Sequence, residues 1–289
     1  MAKETIGLIG LGLMGEVISA RLMAAGYRVL GHDVDAAKNA TFAATGAQAA
    51  ASPAEVARCG MIVLAVFNTD QVEDVLERAL LPHARPGTIV LCTSTCDPDR
   101  IAALAARLEG SAIRFLETPV SGSSGQVRAG DGVGLIGGDR QTAADVKPLL
   151  DVLFPRRFHV GAAGDGGRAK LAINLIIGLN RLALAEGLAF AERMGLDGAA
   201  FLEVAKGSAC YSQVMDVKGG KMVEREFTPE GRVTQHLKDV HLMLDIAGRL
   251  GQDLPALKVH NDVLEACVRA GEADRDNSIV IEEIRRRRR

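Results

Sequence analysis

Two domains of different class are expected from this sequence: an N-terminal α/β domain over residues 1–163, with a doubly wound, mostly parallel sheet, and an all-α domain over residues 164–289 that opens with a long helix. Three observations point there. The first half alternates short β-type runs with helical segments, the pattern of parallel strands joined by crossover helices. A glycine spacing, Gly10-x-Gly12-x-x-Gly15, closes the first of those runs and opens a helix. Strand signals then stop near Arg168, where one apolar segment runs on to about Met194. With 289 residues, 48% of them hydrophobic, the chain is long enough for each domain to bury its own core.

Taken in order, Thr5–Ile9, Arg28–Asp33, Met61–Phe67, Thr88–Cys92 and Ile113–Glu117 read as strands. Helix starts are legible between them. Ser52-Pro53 with Glu55 combines an N-cap, a first-turn proline and a capping-box glutamate, and Asp97-Pro98 repeats the cap and the proline. Gly132–Ile136 and Phe158–Val160 are candidate edge strands, after which Gly161, Gly164, Gly166 and Gly167 loosen the chain. The apolar segment that follows, stopped by Gly195, predicts a helix roughly 40 Å long at 1.5 Å per residue, enough to join two domains. Periodic apolar positions in Val233–Leu250 and Leu257–Val268 complete a helical domain. No internal repeat is present, and the one low-complexity tract is Arg285–Arg289.

Composition narrows the function classes. A net charge of -2 argues against a broad nucleic-acid surface, and the arginine tail reads as a solvated end. Five cysteines, odd in number and without a CxxC pair, suggest neither a disulfide framework nor a zinc site, which fits a reducing cytosol. The six histidines, scattered without a carboxylate at ligand spacing, suggest no metal. Near the N-terminus, glycines interrupt the apolar run Ile6–Met14, so no signal peptide is expected. Leu171–Ala185 carries Asn174, Asn180 and Arg181 and is too short for a bilayer, so it reads as a buried helix and no membrane partner is expected.

The glycine spacing has a physical reading as a Rossmann dinucleotide site. Gly10 permits the tight turn, Gly12 lets a pyrophosphate approach the backbone, and Gly15 lets helix and strand pack closely. The helix start offers N–H groups and the positive end of its dipole, so Gly10, Leu11, Gly12, Leu13, Met14 and Gly15 are candidate cofactor residues. Asp33 ends the second strand, where a carboxylate accepts from ribose hydroxyls and repels a 2′-phosphate. That favours NAD, with NADP kept open by Arg28 and Lys38. Asp33 also fits a helix cap, although Asp35 is better placed for that role. Val66, Phe67 and Asn68, ending the Met61–Phe67 strand, are counted with the cofactor residues.

Four segments together resemble the β-hydroxyacid dehydrogenases over nearly the whole chain. Gly7-Leu8-Ile9-Gly10-Leu11-Gly12-Leu13-Met14-Gly15 looks like that family's cofactor fingerprint. Ser94-Thr95 with Pro98 matches a loop whose threonine lies against the nicotinamide half. Glu117-Thr118-Pro119-Val120-Ser121-Gly122 is similar to the substrate-binding DxPVSGG stretch, and Gly164-Asp165-Gly166 with Lys170 and Asn174 to the catalytic GxGxxxKxxN(N) segment. Lys238 resembles a C-terminal lysine that reaches back to the cofactor. Three positions depart from the pattern: Glu117 for aspartate, Ser123 for the second glycine and Ile173 for the first asparagine.

The resemblance implies hydride transfer between a nicotinamide ring and a small β-hydroxy acid, in a homodimer or homotetramer. Lys170 and Asn174 are four apart on one helix face, continued by Gly178 and Arg181. Read alone, Lys170 fits either a snorkelling lysine or a desolvated acid–base with a lowered pKa; the family segment selects the second, with Asn174 orienting substrate. The Ser121 and Gly122 backbone and the Ser121 hydroxyl offer donors to a substrate carboxylate, although the stretch alone also reads as a proline-containing turn. Ser123, counted with them as substrate-binding, adds a side chain that either excludes a substrate branch or bonds a polar substituent. Two other readings stay open: a catalytically silent NAD-binding sensor or scaffold, which retention of Lys170 opposes, and an imine reductase-like enzyme, whose relatives usually replace that lysine.

Overall fold

A computed structural model describes residues 4–287. The chain divides into two compact units, Met1–Lys170 and Leu171–Arg289. The first holds all the strands found among the described residues: β1 (Thr5–Ile9), β2 (Arg28–His32), β3 (Gln48–Ala49), β4 (Met61–Leu64), β5 (Thr88–Cys92), β6 (Ile113–Glu117), β7 (Val120–Ser121), β8 (Val133–Gly138) and β9 (Arg156–Gly161). Its helices are α1 (Leu13–Ala24), α2 (Ala36–Ala44), α3 (Pro53–Val56), α4 (Thr69–Asp74), α5 (Pro98–Leu108), α6 (Ser124–Ala129), α7 (Arg140–Asp145) and α8 (Lys147–Leu153). A π-helical turn, Val75–Leu80, follows α4.

The strands lie in the order β3-β2-β1-β4-β5-β6-β8-β7, with β9 against β8. Pairing is parallel from β3 through β6 and between β8 and β9; β8 runs antiparallel to β6 and β7. Alternation along each strand sends side chains to two cores. Ile6, Leu8, Val63, Ile89 and Leu91 pack with Val17, Ile18 and Leu22 of α1 and Leu149, Leu150 and Leu153 of α8. Ile9, Ile62, Leu64, Val90 and Cys92 pack on the other face with Val72, Leu76, Ile101 and Leu104. The result is a doubly wound sheet whose order reverses between β1 and β4, and the carboxyl ends there open a crevice for ligands.

The cap reading holds at one helix and fails at another. Asp97 Oδ1 accepts the Asp99 and Arg100 N–H groups and starts α5 after Pro98. Ser52 makes no side-chain cap: Glu55 Oε2 accepts the Ala51 N–H at 2.9 Å instead, and α3 is only one turn long. The third expected strand also ends early, at Leu64, because Ala65 to Phe67 leave the sheet as a loop.

The second unit is helical. α9 (Asp165–Arg193) crosses the division and is followed by α10 (Gly198–Lys206), α11 (Gly220–Glu224), α12 (Val233–Leu250), α13 (Pro255–Arg269) and α14 (Val280–Arg286). Leu182, Leu184, Ala185 and Leu188 of α9 pack with Val233, Val240 and Met243 of α12 and Val263 and Leu264 of α13. The expectation that this apolar run is too short for a bilayer is corrected. α9 has 29 residues and passes on length and composition, yet these leucines lie in a protein core. The arginine tail is corrected too. Arg285 belongs to α14 and pairs with Glu192 and Glu282, Arg286 with Glu272 and Arg287 with Glu283. Arg288 and Arg289 lie outside the described residues.

Candidate active site

The turn after β1 is glycine for steric reasons that differ at each position. Gly10 has φ +94°, and a Cβ there would stand 2.4 Å from the Ala65 carbonyl oxygen. At Gly15 a Cβ would lie 1.9 Å from the Gly10 oxygen, which no side chain tolerates. Gly12 is the opposite case: a Cβ would meet nothing within 4 Å. Gly12 is also the N-cap of α1 and supplies no side-chain cap. An open approach to uncapped helix N–H groups fits a pyrophosphate.

Asp33 holds this turn from the end of β2. Its Oδ2 accepts the Leu11 N–H at 2.8 Å and its Oδ1 the Asp35 N–H at 3.0 Å. Lys38 Nζ stands 3.4 Å from Oδ2. Burial raises the carboxyl pKa, but these bonds and the Lys38 charge outweigh it and leave the group below its usual value, ionised at neutral pH. Capping of α2 falls to Asp35, whose Oδ1 accepts the Ala37 N–H at 2.9 Å.

The loops leaving β4, β5 and β6 sit beside that turn on the same sheet edge. Ser94 Oγ donates to the Val66 carbonyl at 2.7 Å, and Thr69 Oγ1 accepts the Asp97 N–H at 2.9 Å, so the Val66–Asn68 and Thr95 loops are stitched together. Phe67 is exposed, while Asn68 caps α4 through the Gln71 N–H. Beyond β6, Ser121 ends β7 and Gly122 turns the chain at φ +139°. Ser123 caps α6: its Oγ accepts the Gln126 N–H at 3.2 Å, and Gln126 Oε1 accepts the Ser123 N–H at 2.9 Å. The hydroxyl expected to face substrate is therefore engaged with its own backbone.

Lys170, 7% exposed, is the sixth residue of α9, and Asn174, 9% exposed, lies one turn further on. Asn174 Nδ2 donates to Asp239 Oδ2 at 2.9 Å, and Lys238 Nζ lies 2.9 Å from Asp239 Oδ1. The stripe continues as buried polar groups. Gly178 makes room for His236, whose Nε2 is 3.0 Å from His260 Nε2. Burial pulls the His260 imidazole down to about 3, with the Arg181 charge adding to the effect, and pulls the Arg181 guanidinium down to about 10. His241 is exposed, 3.6 Å from Glu265.

Within the first unit Gly10–Gly15, Asp33, Val66–Asn68 and Thr95 follow the carboxyl ends of the parallel strands β1, β2, β4 and β5, and Ser121–Ser123 lie at the end of β7. Asn174 and Lys238 meet through Asp239 in the second. Sequence reasoning missed Asp239, although it adjoins Lys238, because an acceptor 65 positions from its donor leaves no local signal. Glu117, which stands where the family pattern has aspartate, turns its carboxylate to the start of α9, where Gly164 N–H donates to Oε2 at 2.9 Å.

Comparison with known proteins agrees with this geometry. Residues 5–161 match the NAD binding domain of 6-phosphogluconate dehydrogenase, and residues 164–284 match the NAD-binding domain of NADP-dependent 3-hydroxyisobutyrate dehydrogenase. The chain is 30% identical over 283 residues to L-threonate dehydrogenase of Cupriavidus necator, covering 96% of this chain and 95% of that one. It is 28% identical over 280 residues to 2-hydroxy-3-oxopropionate reductase of Escherichia coli, covering 96% of each. Among solved structures, 3-hydroxyisobutyrate dehydrogenase of Salmonella typhimurium superposes with a TM-score of 0.87 at 28% identity, covering 97% of this chain and 99% of that one. With both halves matched and the dinucleotide turn intact, the chain belongs to the β-hydroxyacid dehydrogenase family of NAD(P)-dependent oxidoreductases acting on CH–OH groups.

Proposed function

We propose that this enzyme interconverts a small β-hydroxy acid and its semialdehyde or keto acid, using NAD(H), with Lys170 as the general acid and base. The observation that carries the reading is the burial of Lys170 in the second turn of α9, with Asn174 one turn on. Bound at the Gly10–Gly15 turn, the nicotinamide dinucleotide supplies the hydride for reduction and accepts it in oxidation. Lys170 Nζ gives a proton to the carbonyl oxygen in one direction and takes it from the hydroxyl in the other. Burial keeps bulk water from competing for that proton. Asn174, its amide oriented by Asp239, presents Oδ1 to the substrate. Ser121 and the Gly122 N–H hold the substrate carboxylate, and Thr95, Val66, Phe67, Asn68 and Lys238 line the cofactor.

NAD is the preferred form because an ionised Asp33 repels a 2′-phosphate, with Lys38 leaving some tolerance for NADP. The functional domains are 1–163 for the dinucleotide and 164–289 for substrate and subunit contact. Ala172, Ile176, Ala183 and Phe190 leave an exposed apolar stripe along α9, which supports a homodimer or homotetramer. A cytosolic location suits the five free thiols.

Substrate choice is tested with 3-hydroxyisobutyrate, glycerate, 4-hydroxybutyrate and larger β-hydroxy acids, on wild type and Ser123→Gly. Ile173 makes the wall beside Lys170 more apolar, so the preferred acid carries an apolar substituent. Lys170→Ala should lower kcat by roughly 100-fold while dinucleotide affinity stays within about twofold. Near-normal turnover in that variant would replace this reading with an imine reductase-like enzyme, whereas dinucleotide binding without turnover of any substrate in wild type would replace it with a silent binder.

A further inference from the structure

Glu117 is 1% exposed at the end of β6, and its carboxylate lies under the start of α9. Gly164 N–H donates to Oε2 at 2.9 Å, and the N–H groups of Gly166 and Gly167 add weaker bonds, while Oε1 has no well-aligned donor among the described residues. Three glycines leave the space this group fills. A Cβ on Gly137 or Gly166 would come 2.8 or 2.9 Å from Oε2, and one on Gly167 2.7 Å from Oε1. Gly166 precedes Lys170 by four residues and shares its helix face. Gly164, which makes the shortest bond, precedes Lys170 by six residues, roughly 9 Å of rise at 1.5 Å per residue.

The other ties on this turn are on the surface. Arg168 pairs with Asp99 and Asp165, each at 2.8 Å, but is half exposed, so the bridges hold weakly. Asp165 Oδ2 accepts the Ala162 N–H at 2.9 Å and closes the approach. Glu117 is a buried carboxyl that joins the sheet to the helix. From this geometry we propose that Glu117 is a positioning residue: its carboxyl group seats the first turn of α9 on β6 and so fixes where Lys170 presents its ammonium. The inference rests on Lys170 being the proton-transfer group. A displacement of about 1 Å at a reacting group costs up to 100-fold in rate, so loosening this seat is felt in kcat.

The test uses the full-length enzyme at pH 8 and the best hydroxy acid from the panel. Glu117→Gln keeps the shape but removes the charge and leaves a single carbonyl oxygen for the helix N–H groups. It should lower kcat at least tenfold, leave the dinucleotide Kd within twofold, and speed amide exchange over residues 164–170. Glu117→Asp, shorter but still charged, should stay within about threefold of wild type. In a Lys170→Ala background Glu117→Gln should add nothing, because the group it positions is gone. Should Glu117→Gln fail to fold, Gly167→Ala presses a methyl on Oε1 and is expected to show the same loss of kcat with cofactor binding intact. Wild-type turnover in Glu117→Gln, or in Gly167→Ala where that variant stands in, or an equal loss with and without Lys170, overturns the proposal. A near-normal Lys170→Ala removes the reading of Lys170 itself, whereas a dead Lys170→Ala beside a normal Glu117→Gln removes only this inference.

Discussion

Gly15 and Asp276 each hold a half of this molecule together, over very different distances along the chain. Gly15 works against Gly10, five residues away, where a Cβ would stand 1.9 Å from a carbonyl oxygen. Asp276 works against Lys218, 58 residues away, at 2.8 Å and with both side chains buried. It accepts further bonds from the Glu230 N–H and from Ser278. The clash at Gly15 is backbone sterics between near neighbours; the Lys218–Asp276 pair is one that only folding brings together. Spacing motifs therefore report on the first and say little about the second.

The sharpest way to break that comparison is at the glycines. Gly15→Ala should abolish dinucleotide binding and strongly destabilise the first unit, because the clash is with backbone and cannot be relieved by a rotamer. Gly12→Ala should fold normally and raise the dinucleotide Kd roughly tenfold, since its methyl enters only open space. Thermal melting and NADH fluorescence titration read both; equal behaviour of the two variants would mean that the turn is not shaped for a pyrophosphate. In the helical half, Asp276→Asn removes the closer of two carboxylates at buried Lys218, leaving Glu230 at 3.5 Å, and should cost about 3 kcal/mol in denaturant unfolding. A loss under about 1 kcal/mol would mean that this pair is not what organises the helical half.

A third test concerns the carboxylate that seats α9. Burial pushes the Glu117 carboxyl from 4.5 up to about 7, against the N–H groups of Gly164, Gly167 and Gly166 and the Arg168 charge. Cys92, paired with Glu117 across β5 and β6, has its thiol raised well above its usual value and brings no compensating charge. The folded chain thus binds this proton more tightly than the unfolded one. The stabilisation is complete below about pH 4.5 and is lost as pH rises through about 7. At about 1.4 kcal/mol per unit this is on the order of 3 kcal/mol. Unfolding free energies at pH 5 and pH 8 should differ by less in Glu117→Gln than in wild type; an unchanged difference would place the pH dependence elsewhere.

The smallest effect is expected at Lys38. Its half-exposed pair with Asp33 should contribute under about 1 kcal/mol to stability. Lys38→Ala should nonetheless widen the NAD preference several-fold in kcat/KM, by removing the cation that pairs with that carboxylate and that a 2′-phosphate would meet. A clear preference for NADPH in wild type would sink the role given to Asp33.

Much of the fold was legible because its signals are local. Four of the five first strands keep their expected starts and come within a residue of their expected ends, and Val233–Leu250 is a helix with both ends as expected. The places of Gly10–Gly15, Asp33 and Lys170 in the fold were legible for the same reason: a turn, a strand end and a helix face are set by residues within a few positions of one another. Where local patterns compete, the reading failed. Ser52 and Glu55 have the letters of a capping box, but a one-turn helix leaves Glu55 bonded to Ala51 instead. Ser123 looked like a pocket hydroxyl and is a cap.

By itself, then, the sequence determined the class of each half, the dinucleotide turn and the lysine proposed for proton transfer, since these depend on periodicity, chain sterics and helical spacing. Tertiary structure alone decided that Asp239 orients Asn174, that Asp276 neutralises Lys218, and that Glu117 faces the first turn of α9. Buried polar groups must find partners wherever the fold supplies them, because an unmet hydrogen bond in the interior costs far more than a met one contributes. Those partners lie 65, 58 and 47 positions apart in the chain, beyond the reach of any local pattern.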